Sequence, residues 1–243
     1  AIIMDGNGRW AEQRGKLRVE GHRAGAESVR ETIKAAVKFK IPHLTLFAFS
    51  EENWSRPVIE VEAIMRLLTE YIEKEKAELK KNNVKLSVIG DLNRLTPKRQ
   101  IIINKTIDYL SECDGLNLTL ALSYSGRSEL IRFAQRFCKA ATTGEINIDD
   151  LTSDNAHKFL DDPRLIDPDL IIRTSGEQRL SNFLLWQAAY SELHFTKTMW
   201  PDFREADFVE ALREYAARDR RFGKVLPANY SPLLVEDGAQ LDA

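Results

Sequence analysis

The chain opens with an apolar run, Ala1 to Met4, that ends on a carboxylate, Asp5, and passes at once through Gly6, Asn7 and Gly8 to Arg9 and Trp10. An isoleucine-rich segment of this kind suits a strand buried on both faces. The two glycines leave backbone N–H groups open at the start of the next helix, where an anion is favoured. Strand, loop and helix in that order commit the fold to the α/β class. A carboxylate at the strand's end would repel a bare phosphate, and it makes sense if a hard divalent cation such as Mg²⁺ lies between them. The first expectation is therefore a site for a metal-diphosphate.

A length of 243 residues with 43% hydrophobic content suffices for one substantial core, so we expect a single domain over residues 1–243, with 224–243 a loose tail. A formal charge of -2 with 30% charged residues predicts no nucleic-acid partner and confines any basic site to a local patch. Such a patch is present before residue 41, in Arg9, Arg14, Lys16, Arg18, Arg23, Arg30, Lys34, Lys38 and Lys40. Cys113 and Cys138 form neither a zinc pattern nor a disulfide framework, which suits a reducing cytoplasm. No apolar run approaches the roughly 18 residues of a membrane span, and no secretory leader is expected.

Six segments read as strands: Ala1 to Asp5, Leu44 to Phe49, Val84 to Ile89, Leu116 to Ser123, Leu170 to Thr174 and Leu193 to Phe195. Helical patterns fall over Gly21 to Lys40, Pro57 to Asn82, Thr96 to Glu112, Ser128 to Ala141 and Ser181 to Tyr190. Their alternation predicts a six-stranded, mostly parallel sheet with helices on both faces. In the helix opening at Pro57, the residues Val61, Ile64, Leu68, Tyr71 or Ile72 and Leu79 make one apolar stripe. Such a stripe ordinarily faces a core. Beside a diphosphate site it could instead form one wall of a hydrophobic tunnel for a hydrocarbon tail.

Ligands of open α/β sheets bind beyond the carboxyl ends of the strands, and polar groups collect there. Asp5 to Trp10 follow the first strand, Ser50, Glu51, Glu52, Asn53, Trp54, Ser55 and Arg56 the second, and Arg173 to Ser181 the fifth. Gly6, Gly8 and Ala11 also fit the dinucleotide fingerprint G-x-G-x-x-G/A. Asp5 and bulky Trp10 crowd that turn, and no acidic residue ends a second strand as that fingerprint requires. Arg9, Arg18 and His22 are spaced to surround one anion, by charge-assisted bonds worth about 1.5–3 kcal/mol each. Arg173, Arg179 and Ser181 form a second anion site, although Ser181 alone would serve simply as an N-cap. Glu192 is a candidate second metal ligand. Asn53 cannot act as a strong base, but it could orient a proton toward a better acceptor.

The motifs MDGNGRWA, GHRAG, FSEENWSRP, IRTSGEQRLSNFLLWQ and ELHF…WPDF, in this order, resemble those of the cis-prenyltransferases from residue 1 to about Gly223. The resemblance implies a hydrophobic tunnel, a homodimer and Mg²⁺ held by Asp5, with Glu192 completing the metal site. It implies that Gly6, Asn7, Gly8, Arg9, Arg18 and His22 bind the diphosphate of an allylic starter, farnesyl diphosphate. Trp10, Trp54 and Arg56 would help to bind that starter, while Ser50, Glu51, Glu52 and Asn53 shape the condensation site. Arg173, Arg179, Leu180 and Ser181 would grip isopentenyl diphosphate, and the Arg221-Phe222-Gly223 element would reach the site across the dimer. The product would be a long cis-polyprenyl diphosphate, a lipid carrier for wall glycans, released with peripheral membrane contact. Leu116 would be the tunnel floor, so that Leu116→Ala lengthens the product. The paired-aspartate motif of trans-prenyltransferases fails here, since Asp161 and Asp162 are followed by Pro163, Arg164 and Leu165.

Overall fold

The computed structural model describes residues 1–218. Six strands form one sheet: β1 (Ile2–Ile3), β2 (His43–Ser50), β3 (Lys85–Ile89), β4 (Asn117–Tyr124), β5 (Leu170–Arg173) and β6 (Glu192–Phe195). Their order is β3-β4-β2-β1-β5-β6, and every neighbouring pair is parallel. Six helices accompany them: α1 (Asn7–Glu12), α2 (Arg18–Lys38), α3 (Val58–Lys81), α4 (Pro97–Tyr109), α5 (Gly126–Thr142) and α6 (Glu205–Ala216).

Alternation along the strands divides the core. Ile2, Leu46, Leu118, Leu120 and Ile172 pack with Ile33 and Ala36 of α2, Ile64 and Met65 of α3, Ile103 of α4 and Phe208 of α6. On the opposite face Ile3, Ile89, Ala121, Tyr124 and Ile171 pack with Phe183 and Leu184. Phe183 lies flat on Phe47, their ring centroids 4.5 Å apart. α5 belongs to this second face, where Glu129 accepts a 2.6 Å hydrogen bond from the Tyr124 hydroxyl.

β1 is shorter than the expected Ala1 to Asp5 because Asp5 N–H turns back to the Ile3 carbonyl (3.0 Å), which takes the chain out of the ladder. The expected helix over Ser181 to Tyr190 is absent and a series of turns stands in its place. Ser181, Asn182 and Leu184 have φ of 49°, 64° and 46°, left-handed values that no α-helix contains. Ser181 is therefore not a helix N-cap. α6 was not anticipated, although its buried Phe208 and Ala211 carry helical spacing.

β1 sits at the point where the chain order reverses, with β2 on one side and β5 on the other. Open α/β sheets carry their ligand crevice at such a switch point. Asp5 just past β1 and Arg173 at the end of β5 meet there.

Candidate active site

Gly6 precedes α1 with φ 101°, a conformation that disfavours any side chain, and it aims the first turn of α1 across the sheet's carboxyl edge. The first backbone bond of that helix runs from Trp10 N–H to the Gly6 carbonyl, 2.8 Å, so the N–H groups of Asn7, Gly8 and Arg9 precede the ladder. A Cβ on Gly8 would lie 2.5 Å from the guanidinium carbon of Arg18, so only glycine lets that cation close over the loop.

Asp5 is fixed through its backbone and its carboxylate together. Its N–H donates to Thr174 Oγ1 (2.9 Å), and the Thr174 hydroxyl donates back to its carbonyl (2.7 Å). Asp5 Oδ1 accepts from Gly6 N–H at 2.7 Å, while Oδ2 pairs with Arg173 at 2.9 Å and with Arg9 at 3.3 Å. Burial pushes its pKa up, but the hydrogen bond and charge of Arg173, with Gly6 N–H and Arg9, outweigh that and hold it below the ordinary carboxylate value. Arg173 is 3% exposed and also donates to Ser181 Oγ (2.7 Å) and to the Arg179 carbonyl. Its Nε is buried with no protein partner among the described residues.

Three carboxylates hold the remaining cations, and one of them, Glu12, pairs with Arg18 at 2.6 Å. Glu177 joins Arg9 (2.8 Å) to Arg179 (2.5 Å), and Glu60 joins Arg18 (3.4 Å) to Arg56 (3.2 Å). His22 is largely buried beside Arg56, Glu60 and Arg18, its Nε2 without a partner among the described residues. Its pKa is lowered to about 4 by burial and then by the Arg56 charge, with Arg18 adding to the effect and Glu60 opposing it. The imidazole is thus neutral at pH 7. The unfolded chain takes up its proton near 6.5 and the fold only near 4, so stability falls as pH drops across that window, by roughly 3 kcal/mol in all. Urea titrations of the protein and of His22→Gln at pH 7 and pH 5 check this, and equal pH slopes would contradict it.

Beneath this cluster a cavity of about 250 Å³ runs between the sheet and α2 and α3. Asp5, Gly6, Asn7, Gly8, Arg9, Arg18, His22, Asn53 and Arg56 line its polar end. Val29 and Ile33 of α2, Ile64, Leu67, Leu68, Tyr71, Ile72 and Leu79 of α3, and Leu46, Leu86, Leu118 and Leu120 of the strands line the rest. From Ile64 to Leu79 the helix advances about 22 Å, at ~1.5 Å per residue. The α3 stripe therefore faces both ways, with Val61 and Met65 in the core and Leu68 and Tyr71 on the cavity. Leu116, the expected floor, is buried but not among the lining residues, and Leu79, Leu86 and Leu118 occupy the inner end.

Asn53 lies in the single 3-10 turn Glu51–Ser55 that follows β2. Its Oδ1 accepts from Ser50 N–H (3.2 Å), which leaves its Nδ2 without a protein partner among the described residues. Glu51 accepts from the Ser128 hydroxyl at 2.6 Å and Glu52 from Asn182 at 3.0 Å. Burial raises the Glu52 pKa, but the Asn182 hydrogen bond and bonds within the turn bring it below the ordinary value.

Other expected site residues point elsewhere. Trp10 donates its indole N–H to Asp202 (2.7 Å) beneath the guanidinium of Arg14, away from the cavity. Trp54 donates to Ser123 Oγ (2.9 Å) with Arg94 over its ring. Leu180 packs on the second core face. Glu192 stands at the amino end of β6, level with Leu170 in register, and pairs with Arg218 at 3.0 Å. That puts it roughly 16 Å down the sheet from Asp5, at ~3.3 Å per residue. Within one chain the two carboxylates do not share a metal, and no cluster of three or more His, Cys, Asp or Glu occurs among the described residues. Arg221 and Gly223, and the tail, lie outside the described residues. Asp161, from the failed trans-type motif, is a structural anchor for Arg132 (2.5 Å) and Arg136 (3.0 Å). Glu60 was not anticipated, and Thr174 and Glu177 were placed on the rim without a role, since Arg18, Asp5 and Arg9, which they hold, are distant in sequence.

An anion cradle opening straight into a hydrocarbon-lined channel, on an all-parallel six-stranded sheet, defines the class: a prenyltransferase. The chain belongs to the family whose model is described as "Putative undecaprenyl diphosphate synthase", which matches residues 3–223. It is 46% identical, over 93% of its own length and 86% of the relative's, to the ditrans,polycis-undecaprenyl-diphosphate synthase ((2E,6E)-farnesyl-diphosphate specific) of Wigglesworthia glossinidia brevipalpis. Among solved structures, lavandulyl diphosphate synthase from Lavandula x intermedia, in complex with dimethylallyl diphosphate, superposes with a TM-score of 0.88 at 34% identity, covering 92% of this chain and 96% of that one. A "probable undecaprenyl diphosphate synthase" from Campylobacter jejuni gives 0.74 at 36% identity, covering 83% and 93%.

Proposed function

We propose that this enzyme condenses isopentenyl diphosphate repeatedly, with cis geometry, onto farnesyl diphosphate, giving undecaprenyl diphosphate for cell-wall glycan assembly. The observation that carries this reading is the continuity of the cavity, from the Asp5-to-Arg9 loop to Leu79, with a second basic cluster joined to the first through Arg173 and Asp5.

In this reading the α1 amides, Arg9, Arg18 and neutral His22 hold the starter's diphosphate, and its hydrocarbon tail lies along α3. Arg173, Arg179 and Ser181 hold isopentenyl diphosphate. Asp5, ionised and at the rim, is the residue that would hold Mg²⁺, a hard cation that favours carboxylate and other oxygen ligands. Bound there, Mg²⁺ would neutralise charge on the leaving diphosphate. Arg9 and Arg18 stabilise the same developing charge as the allylic C–O bond breaks. The isopentenyl double bond then forms the new carbon–carbon bond, and one proton leaves. The free Nδ2 of Asn53 orients that proton's carbon against a diphosphate oxygen, which accepts it. Glu192, at the far end of the sheet from Asp5 within one chain, would join the site from a second copy, so the working form is a homodimer. We place it in the cytoplasm, with peripheral membrane contact during product release; no helix among the described residues is long and apolar enough to cross a membrane.

Incubation with radiolabelled isopentenyl diphosphate and farnesyl diphosphate, with and without EDTA, followed by butanol extraction, tests the reaction. A magnesium-dependent lipid product is expected, and its absence would overturn the assignment. Product length follows from the inner end of the channel. Leu86→Phe, which adds bulk there, should shorten the product by one or more isoprene units at a stability cost of about 1–3 kcal/mol. An unchanged ladder on reversed-phase chromatography would show that the channel continues past this point.

A further inference from the structure

The turn that replaces the expected helix carries a residue with an unusual load. Asn182 sits at φ 64° between Ser181 and Phe183, in a stretch where three of four residues are left-handed and none is glycine. Left-handed residues cost energy and persist only where their surroundings over-determine them. The carbonyl of Asn182 and both polar atoms of its side chain are engaged. Its carbonyl accepts from Gly126 N–H (2.8 Å) and its Oδ1 from Arg127 N–H (2.9 Å), which fastens the start of α5. Both of its amide hydrogens are used, by Ser125 Oγ (2.7 Å) and Glu52 Oε1 (3.0 Å).

The neighbour on one side, Ser181, is bound to Arg173, which in turn is bound to Asp5. Glu52, on the other side, immediately precedes Asn53 in the loop after β2. One dipeptide thus bridges the second anion cradle to the loop facing the polar end of the cavity. We propose that Asn182 is a positioning residue for condensation, which sets the Asn53 loop at a fixed distance from the Arg173–Ser181 cradle. This rests on the prenyl-transfer reading above.

Geometry at a reacting centre is worth much more than a surface hydrogen bond, because a displacement of about 1 Å can cost on the order of 100-fold in rate. Asn182→Gly keeps the left-handed backbone accessible and removes the side-chain bonds. It should lower kcat on the order of 10–100-fold while the KM for farnesyl diphosphate stays within about 3-fold, because the starter's cradle is untouched. A reciprocal exchange tests the contact itself. Asn182→Asp sets two carboxylates against each other, whereas Asn182→Asp with Glu52→Gln restores the bond with donor and acceptor reversed. In the double-mutant cycle for kcat, the double variant should exceed the product of the single effects by at least about 5-fold.

Wild-type turnover, measured in parallel, tests the reaction. An active wild type with a coupling ratio near one, or with Asn182→Gly affecting only the melting temperature, would overturn the positioning role and leave the reaction standing. A wild type that makes no prenyl product removes both. Should Asn182→Gly fail to fold, the cycle among the remaining variants decides.

Discussion

Asp5→Asn is expected to reduce prenyl transfer by about 1000-fold, equivalent to ~4 kcal/mol of transition-state stabilisation. The amide keeps the shape and accepts one bond, but it is a poor ligand for a hard cation and bears no charge to set against the diphosphate. The effect on the fold is smaller and separable. Arg173, nearly buried beside it, loses an ionised partner, and a hydrogen bond to a charged group is worth about 1.5–3 kcal/mol. Asp5→Ala would strand that guanidinium outright and cost about 3–5 kcal/mol. Since the Asp5 pKa is depressed in the fold, its stabilising contribution is full above the ordinary carboxylate pKa and is lost as pH falls through the lowered value. Single-turnover rates with saturating magnesium, beside calorimetric melting of both variants, separate chemistry from stability. A folded Asp5→Asn enzyme of wild-type rate would remove Asp5 from the mechanism.

Arg173→Lys should raise the KM for isopentenyl diphosphate by about 100-fold, the equivalent of one to two charge-assisted bonds. The guanidinium serves Asp5 from one terminal nitrogen and Ser181 and the Arg179 carbonyl from the other. An ammonium presents a single point and cannot span those partners. The starter's KM should change by only a few-fold, because Arg9 is also held by Glu177 and Arg18 by Glu12 and Glu60. Equal losses for both substrates would mean that Arg173 acts by holding Asp5 rather than by binding the second diphosphate.

Most of the sheet was legible, because parallel buried strands announce themselves as short Val, Ile and Leu runs. All six were found, and their carboxyl ends brought Asp5, Asn53 and Arg173 to one rim. The segment Ser181 to Tyr190 was not legible. It has a good N-cap, strong helix formers and no proline, yet three left-handed residues overrule that propensity. The reason is tertiary: Arg173 needs the Ser181 hydroxyl, α5 needs Asn182, and Phe183 fills a slot against Phe47. Trp10 and Trp54 show the same limit at the side-chain level, since only the folded chain supplies Asp202 and Ser123 as partners for their indoles. The expected second metal ligand does not meet Asp5 within a single chain. Glu192 had the right chemistry but stands at the wrong end of its strand, something visible only once direction and register are known.

Glu60 and Glu177, each clasped between two arginines, give the rim its own anions before any substrate arrives. On the proposed reading, a diphosphate landing there would swap one set of counterions for another, so that much of the gross attraction cancels and residence is short. For a catalyst that must hand the growing chain's head group from one cradle to the other at every cycle, that moderation matters. A rim of bare guanidiniums would hold its first diphosphate too tightly to elongate anything.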